Sequence, residues 1–194
     1  MKPEEKARVK IDQWLTDAGW KVINRDEFEA NSSAVAVREG LLKGNKEADY
    51  FLFINGKAIG VLEAKREEID VTQQTVCEQI EGYARGVPSY YTAYQKPLPF
   101  LYTSNGKHLY FRDFRKEKSD YEEISVMHKP KRMVDMLGIE DPFAGLPSLN
   151  PKGLRACQYE AITELEKSFR NGQDRALMNL ATGAGKTYTA CLAA

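Results

Sequence analysis

The sequence predicts an α/β protein: a mixed sheet flanked by helices, followed by the opening pieces of a second α/β unit. Three observations carry this prediction. Residues 48–54 (ADYFLFI) and 58–64 (AIGVLEA) are apolar, strand-like runs around Asn55-Gly56, the strongest short hairpin signal. Apolar residues at helical spacing stand on both sides of that hairpin. Near the end of the chain, a short apolar run at 175–180 leads into the glycine-rich Ala181-Thr182-Gly183-Ala184-Gly185-Lys186-Thr187.

The elements follow in order. Ala7, Val9, Ile11, Trp14, Leu15 and Ala18 recur at mostly helical spacing over residues 4–18, and Gly19 stops the run. Residues 20–23 and 34–37 read as short strands ahead of the hairpin. A second helix fits 71–85, closed by Gly86 and Pro88, and strands at 99–103 and 109–111 sit around Asn105-Gly106. Helix, hairpin, helix and further strands make a mixed sheet. The span 112–141 carries no clear period. Its charges read as a solvated face, with Lys129, Lys131 and Arg132 an unspecific phosphate contact. Residues 141–153 hold Pro142, Gly145, Pro147, Pro151 and Gly153 and read as a linker. The expected organisation is therefore a first domain at 1–140, a linker at 141–153, and at 154–194 the start of a second domain. In that second part 154–169 is helical, 175–180 is a strand, and the chain ends inside the next helix.

Composition narrows the class without settling it. The 194 residues include 28 Lys and Arg and 28 Asp and Glu, so net charge is zero and gives no basic signature of a nucleic-acid partner. A cluster of metal-binding carboxylates would offset basic residues elsewhere, so DNA is not excluded. Three scattered cysteines and two histidines make a zinc site or disulfide framework improbable and suit a reducing cytosol. The charged start and the lack of a long apolar run predict a cytoplasmic chain without a membrane partner.

Glu63 and Lys65 stand two apart on a strand, so their side chains leave the same face of the sheet. Asp49 lies on the partner strand. A strict two-residue turn at Asn55-Gly56 would set Asp49 opposite Leu62 and aim it at the wrong face. A three-residue loop or one β-bulge restores the parity, and the sequence predicts such a bulge, because bulges gather where a side chain must be re-aimed beside an active site. Two carboxylates at such a place suit Mg²⁺, which polarises a phosphodiester and lowers the pKa of bound water. Lys65 would orient that water or meet the developing charge. Glu-x-Lys alone reads equally as a solvated edge pair; the hairpin and the Ala-Asp at its head make the chemical reading the stronger.

Asp49 with Glu63-Ala64-Lys65 resembles the PD-(D/E)xK nuclease core, with Ala48 where Pro is usual. The surrounding text, Ala36-Val37-Arg38-Glu39, Glu47-Ala48-Asp49-Tyr50 and Gly60-Val61-Leu62-Glu63-Ala64-Lys65, resembles the N-terminal domain of type I restriction subunits. That resemblance implies a Gln-x-x-x-Tyr pair on the following helix, matched here by Gln79 and Tyr83, which a spacing of four sets on one helix face. It also implies a first-helix carboxylate as a further metal residue, here Glu4, with Glu5 as competitor.

A Gly-rich turn at a helix start cradles phosphate with its backbone amides, here Thr182, Gly183 and Gly185. Lys186 reaches the terminal phosphates and Thr187 ligates Mg²⁺. Leu180 stands where the general pattern has Gly. In this form the stretch resembles the first motif of superfamily 2 helicases and translocases, and Leu154-Arg155-Ala156-Cys157-Gln158 resembles their adenine-reading segment, with Gln158 on the base and Arg155 beside it. The resemblances imply a PD-(D/E)xK core followed by an incomplete RecA-like P-loop domain that uses ATP and Mg²⁺. They imply the restriction subunit of an ATP-dependent type I enzyme, which cleaves foreign double-stranded DNA after translocation alongside methyltransferase and specificity subunits. A stand-alone defence or repair nuclease-helicase, and a non-catalytic DNA-binding or assembly module, remain alternatives.

Overall fold

The structure, a computed structural model, describes residues 3–29, 33–42, 47–117, 119–139, 149–170 and 175–193. The chain forms two compact units, Met1–Gly138 and Ile139–Ala194. In the first, helix α1 (Pro3–Asp17) buries Ala7, Ile11 and Leu15, a stripe at spacing four. Strand β1 (Lys21–Ile23) and a 3₁₀ turn (Arg25–Glu27) follow, then β2 (Ala34–Leu41), β3 (Glu47–Ile54) and β4 (Lys57–Ala64). Helix α2 (Gln74–Arg85) leads to β5 (Phe100–Ser104), β6 (Leu109–Asp113), the short β7 (Glu122–Glu123) and helix α3 (Pro130–Leu137).

These strands form one seven-stranded sheet whose spatial order is the chain order. The pairs β1–β2 and β4–β5 are parallel and the other four antiparallel, so the sheet is mixed. Parallel neighbours need a crossover, and α2 supplies it between β4 and β5. The sheet is covered on both faces. On one, Ile80 and Ala84 of α2 pack with Phe51, Phe53, Val61 and Leu101. On the other, Tyr50 Oη donates to Asp12 Oδ1 of α1 at 2.8 Å, and Tyr102 Oη pairs with His128 Nδ1 at 2.8 Å just ahead of α3.

The expected bulge is present. Asn55 and Gly56 both adopt positive φ, 49° and 69°, the primed two-residue turn that matches strand twist. Ile54 pairs with Lys57 and Phe53 with Ala58, but Leu52 then pairs with Gly60, leaving Ile59 as the extra residue. Beyond it Phe51 meets Val61 and Tyr50 meets Leu62, a register that sets Asp49 opposite Glu63. Gly60 has no room for a side chain here, since a Cβ would lie 2.6 Å from the Phe100 carbonyl oxygen on β5.

Other expectations shift by a few residues for identifiable reasons. Trp20 does not open β1; it is buried, and its indole Nε1 donates to the His128 carbonyl at 2.8 Å. Helix α2 starts at Gln74 rather than 71 because Asp70 Oδ1 accepts from the Thr72 amide at 2.9 Å and the Thr72 hydroxyl at 2.7 Å. Such a local turn competes with helix. The span 112–141, featureless in sequence, contains β7 and α3. Pro130 opens α3, Gly138 closes it in the left-handed region, and Met133 and Leu137 are buried. Lys129 is its N-cap residue, and Lys131 lies 3.8 Å from Asp135.

In the second unit, α4 spans Ala156–Arg170 and α5 spans Lys186–Leu192. Residues 175–180 correct the sequence reading: they run as irregular chain, not strand, with Leu177 92% exposed. A strand exists by pairing its backbone groups with a neighbour, and the described residues of this unit supply no other strand. Residues 141–148 of the expected linker lie outside the described residues. Among the described residues no helix is long and apolar enough to cross a membrane.

Candidate active site

Strands β3 and β4 bring three of the expected residues together at one end of the sheet. Asp49, on β3 next to fully buried Ala48 and Tyr50, accepts the Ala64 amide on Oδ2 at 2.7 Å. Glu63, near the end of β4, is 4% exposed. Its Oε1 accepts from Lys65 Nζ at 2.5 Å and from Gln79 Nε2 at 2.9 Å. The Gln79 carbonyl accepts from Lys65 Nζ at 3.0 Å, and its amide also donates to Tyr83 Oη. One glutamine on α2 thus fixes carboxylate, ammonium and phenol, and the four-residue spacing of Gln79 and Tyr83 is what permits it. The structure gathers Asp49, Glu63, Lys65, Gln79 and Tyr83 into a single cluster.

Electrostatics single out Glu63. Burial, reinforced by the nearby Asp49 carboxylate and opposed by Lys65, pushes its pKa up to about 7. Tyr83 is raised as well, chiefly by burial. Each of the two carboxyl groups has a cationic partner, Lys65 for Glu63 and Arg8 for Asp49, and their adjacent oxygens are a hard donor set that would fit Mg²⁺. Among the described residues no group of three or more His, Cys, Asp or Glu converges. A metal held there would have two carboxylates from the protein and would leave its remaining positions to water and phosphate oxygens, as is usual for Mg²⁺. The side chain of Glu4 lies outside the described residues.

Sequence reasoning missed Arg8 and Glu39. Arg8 of α1 ion-pairs with Asp49 Oδ1 and with Glu39 Oε1, the latter at 3.2 Å. Glu39 lies within β2 yet has φ 52°, a left-handed conformation unusual for a residue with a side chain. Missed too was the support behind the site. Arg38 grips Asp12 through Nη2 at 2.9 Å and Nε at 3.3 Å, and Tyr50 Oη shares that aspartate, which ties α1 to β2 and β3. The available signal was spacing: Arg8 and Asp12 are four apart and border the buried stripe of α1.

The glycine-rich loop is a second candidate site, in the second unit. Gly183 and Gly185 take φ 79° and 84°, and α5 begins at Lys186. Arg155 Nη1 donates to the Gly183 carbonyl at 2.8 Å, and buried Gln158 donates from Nε2 to the Ala184 carbonyl at 2.9 Å. Gln158 Oε1 accepts the Arg155 amide at 2.9 Å, so both ends of its amide brace the loop and the start of α4. Lys186 Nζ donates to the Ala181 carbonyl at 3.4 Å, while Thr182 and Thr187 are exposed. A Cβ on Gly185 would meet Gln158 Nε2 at 2.6 Å. Gly185→Ala is therefore expected to spread the loop and to destabilise this unit by about 1–2 kcal/mol, as positive φ and steric conflict act together; a thermal melt unchanged from wild type would show that the loop accommodates the added methyl group.

Residues 25–137 match the family model of the type I restriction enzyme EcoKI endonuclease subunit, second domain, and residues 151–194 match that of the type III restriction enzyme, res subunit. The chain is 30% identical to the type I restriction enzyme EcoKI endonuclease subunit of Escherichia coli strain K12, over 96% of this chain and 20% of that one. It is 27% identical to the EcoAI endonuclease subunit of Escherichia coli, over 91% of this chain and 23% of the relative. The chain thus spans about a fifth of the length of the curated relatives it matches. Among solved structures, the type IIG restriction endonuclease BpuSI aligns with 69% of this chain and 15% of its own, at 17% identity and a TM-score of 0.43. The first family match holds Asp49, Glu63, Lys65, Gln79 and Tyr83, the second Gln158 and the glycine-rich loop, and Arg8 precedes both. With more than half of its length matched by that first model, the chain belongs to the family of type I restriction enzyme endonuclease subunits.

Proposed function

We propose that the first unit is a metal-dependent endonuclease centre for double-stranded DNA and the second the start of its ATP-driven motor, with Asp49, Glu63, Lys65, Gln79 and Tyr83 as the cleaving site. The observation that carries this reading is the bulge at Ile59, which puts Asp49 opposite Glu63. Without it the two carboxylates would leave opposite faces of the sheet, and no single ion would meet both. Asp49 and Glu63 would hold Mg²⁺, with Glu4 as a further carboxylate from α1. The metal supplies Lewis acidity at the phosphodiester and a more acidic bound water. Lys65, hydrogen-bonded to Glu63, orients the attacking water and offsets charge gathering on the phosphate. Gln79 holds Lys65 and Glu63 in that relation, and Tyr83, hydrogen-bonded to Gln79, would offer its phenol to a DNA phosphate.

The loop at 181–187 supports ATP as the second cofactor: Lys186 and Thr187 for phosphate and Mg²⁺, Thr182, Gly183 and Gly185 for the cradle. Arg155 and Gln158, whose hydrogen bonds brace the loop, would stand near the adenine base. The domain partition follows: nuclease at 1–140, linker at 141–153, motor start at 154–194. Family membership supports cytoplasmic work beside methyltransferase and specificity subunits, which would choose the DNA sequence. The test is plasmid cleavage by the full-length subunit assembled with those partners, ATP and Mg²⁺. Removing the divalent metal with EDTA is expected to abolish cutting, and restoring Mg²⁺ to recover it. Cleavage that persists in EDTA would sink the metal-dependent assignment.

A further inference from the structure

Arg8 occupies a place in the site that sequence motifs do not explain. Its guanidinium is divided between two carboxylates of different setting: Asp49, 10% exposed at the side chain, and Glu39, 60% exposed. Among the described residues its buried Nε finds no hydrogen-bond partner. Glu39 is held ready for it at a conformational cost. The ladder pairs Arg38 with Tyr50 and Gly40 with Ala48, which brackets Glu39 directly across from Asp49, and Glu39 takes its left-handed φ of 52° there. Arg25 Nη1 donates to the Glu39 carbonyl at 3.2 Å and to Glu47 Oε1 at 3.1 Å, tying this backbone down. Gly40 follows because any Cβ there would run into the Phe51 ring.

We propose that Arg8 is the resident counter-cation of the nuclease centre, which yields Asp49 to an incoming divalent metal and moves wholly onto Glu39. The proposal rests on the reading that Asp49 and Glu63 hold the metal. A guanidinium and a divalent ion on one carboxylate repel each other, most strongly where water is scarce. Glu39, already in contact with the other arm of the same guanidinium and open to solvent, is the seat to which Arg8 transfers without crossing the site. Arg8 is accordingly a positioning residue that sets metal affinity, and Glu39 is its second seat.

The experiment is calorimetric titration of the DNA-free chain with MgCl₂. Arg8→Met, which keeps the aliphatic stem, is expected to bind Mg²⁺ about tenfold tighter, the worth of one charge-assisted hydrogen bond to a carboxylate. Arg8→Lys, whose compact ammonium does not span both acids, should fall between this variant and wild type. Glu39→Gln removes the second seat and is expected to weaken binding about threefold. A salt bridge of purely structural use would loosen the site in both the Arg8 and the Glu39 variants, so the opposite signs are the signature. Unchanged or weaker binding in Arg8→Met and Arg8→Lys, with Asp49→Asn still lowering affinity, overturns the role of Arg8 alone. If wild type takes up no Mg²⁺ and Arg8→Met none either, the metal-site reading fails and this inference with it.

Discussion

Lys65→Ala is expected to lower DNA cleavage by the assembled enzyme by at least about 10²-fold while leaving ATP hydrolysis intact, the scale of losing one preorganised charge at a reacting phosphate. The reasoning begins with placement. Lys65 follows the last residue of β4, its side chain is 22% exposed, and among the described residues its ammonium donates to Glu63 Oε1 and the Gln79 carbonyl. No core packing depends on that ammonium, so the truncated protein should fold with an unchanged sheet. What disappears is a positive charge 2.5 Å from the buried carboxylate and the donor that Gln79 aligns. A loss of cutting with ATP turnover preserved separates the nuclease from the motor. Plasmid nicking by the variant at the wild-type rate would show that Asp49, Glu63 and Lys65 are not the site of cleavage.

How far the sequence reveals this site depends on whether each part is local. The bulge was deducible because two requirements collided: Asn55-Gly56 demands a two-residue turn, and the chemistry demands Asp49 on the face of Glu63. Only an inserted residue satisfies both, and Ile59 is that residue. Gln79 and Tyr83 were equally legible, since spacing four on a helix is a local geometry. Arg8 was not, because it meets Asp49 across 41 positions of chain and comes from the helix on the other face. Nor was the backbone of Glu39, whose conformation is set by neighbours on β3 rather than by its own type. The strand expected at 175–180 failed for the reverse reason: an apolar run records a preference for burial, and strand pairing needs a neighbour that the described part of this unit lacks. Helix α3 escaped notice because eight residues with only two buried apolar positions give too little period to stand out from the charges around them.

The second large effect concerns pH and metal together, and it follows from Glu63. Its ordinary value of 4.5 rises to about 7 in the folded protein, through burial first and Asp49 second. A carboxyl that holds its proton more tightly when folded contributes stability that is full below about pH 4.5 and is lost as pH climbs through about 7, because the unfolded chain releases the proton first. For a gap of that size the loss amounts to about 3 kcal/mol in the metal-free protein. Mg²⁺ held by the ionised pair, as proposed, would invert the sign: its stabilisation would be absent near pH 5 and would grow towards pH 8 by mass action. Thermal melts from pH 5 to 8, with and without Mg²⁺, should therefore diverge with rising pH, and Glu63→Gln should flatten both dependences. Subtracting the variant from wild type cancels every other titrating group that the substitution leaves alone, including His128, whose value burial lowers. A difference curve with no slope between pH 5 and 7 would mean that Glu63 is already ionised in the folded protein. The Lys65 and Gln79 hydrogen bonds would then outweigh its burial, and the carboxylate would stand ready for metal at all of those pH values.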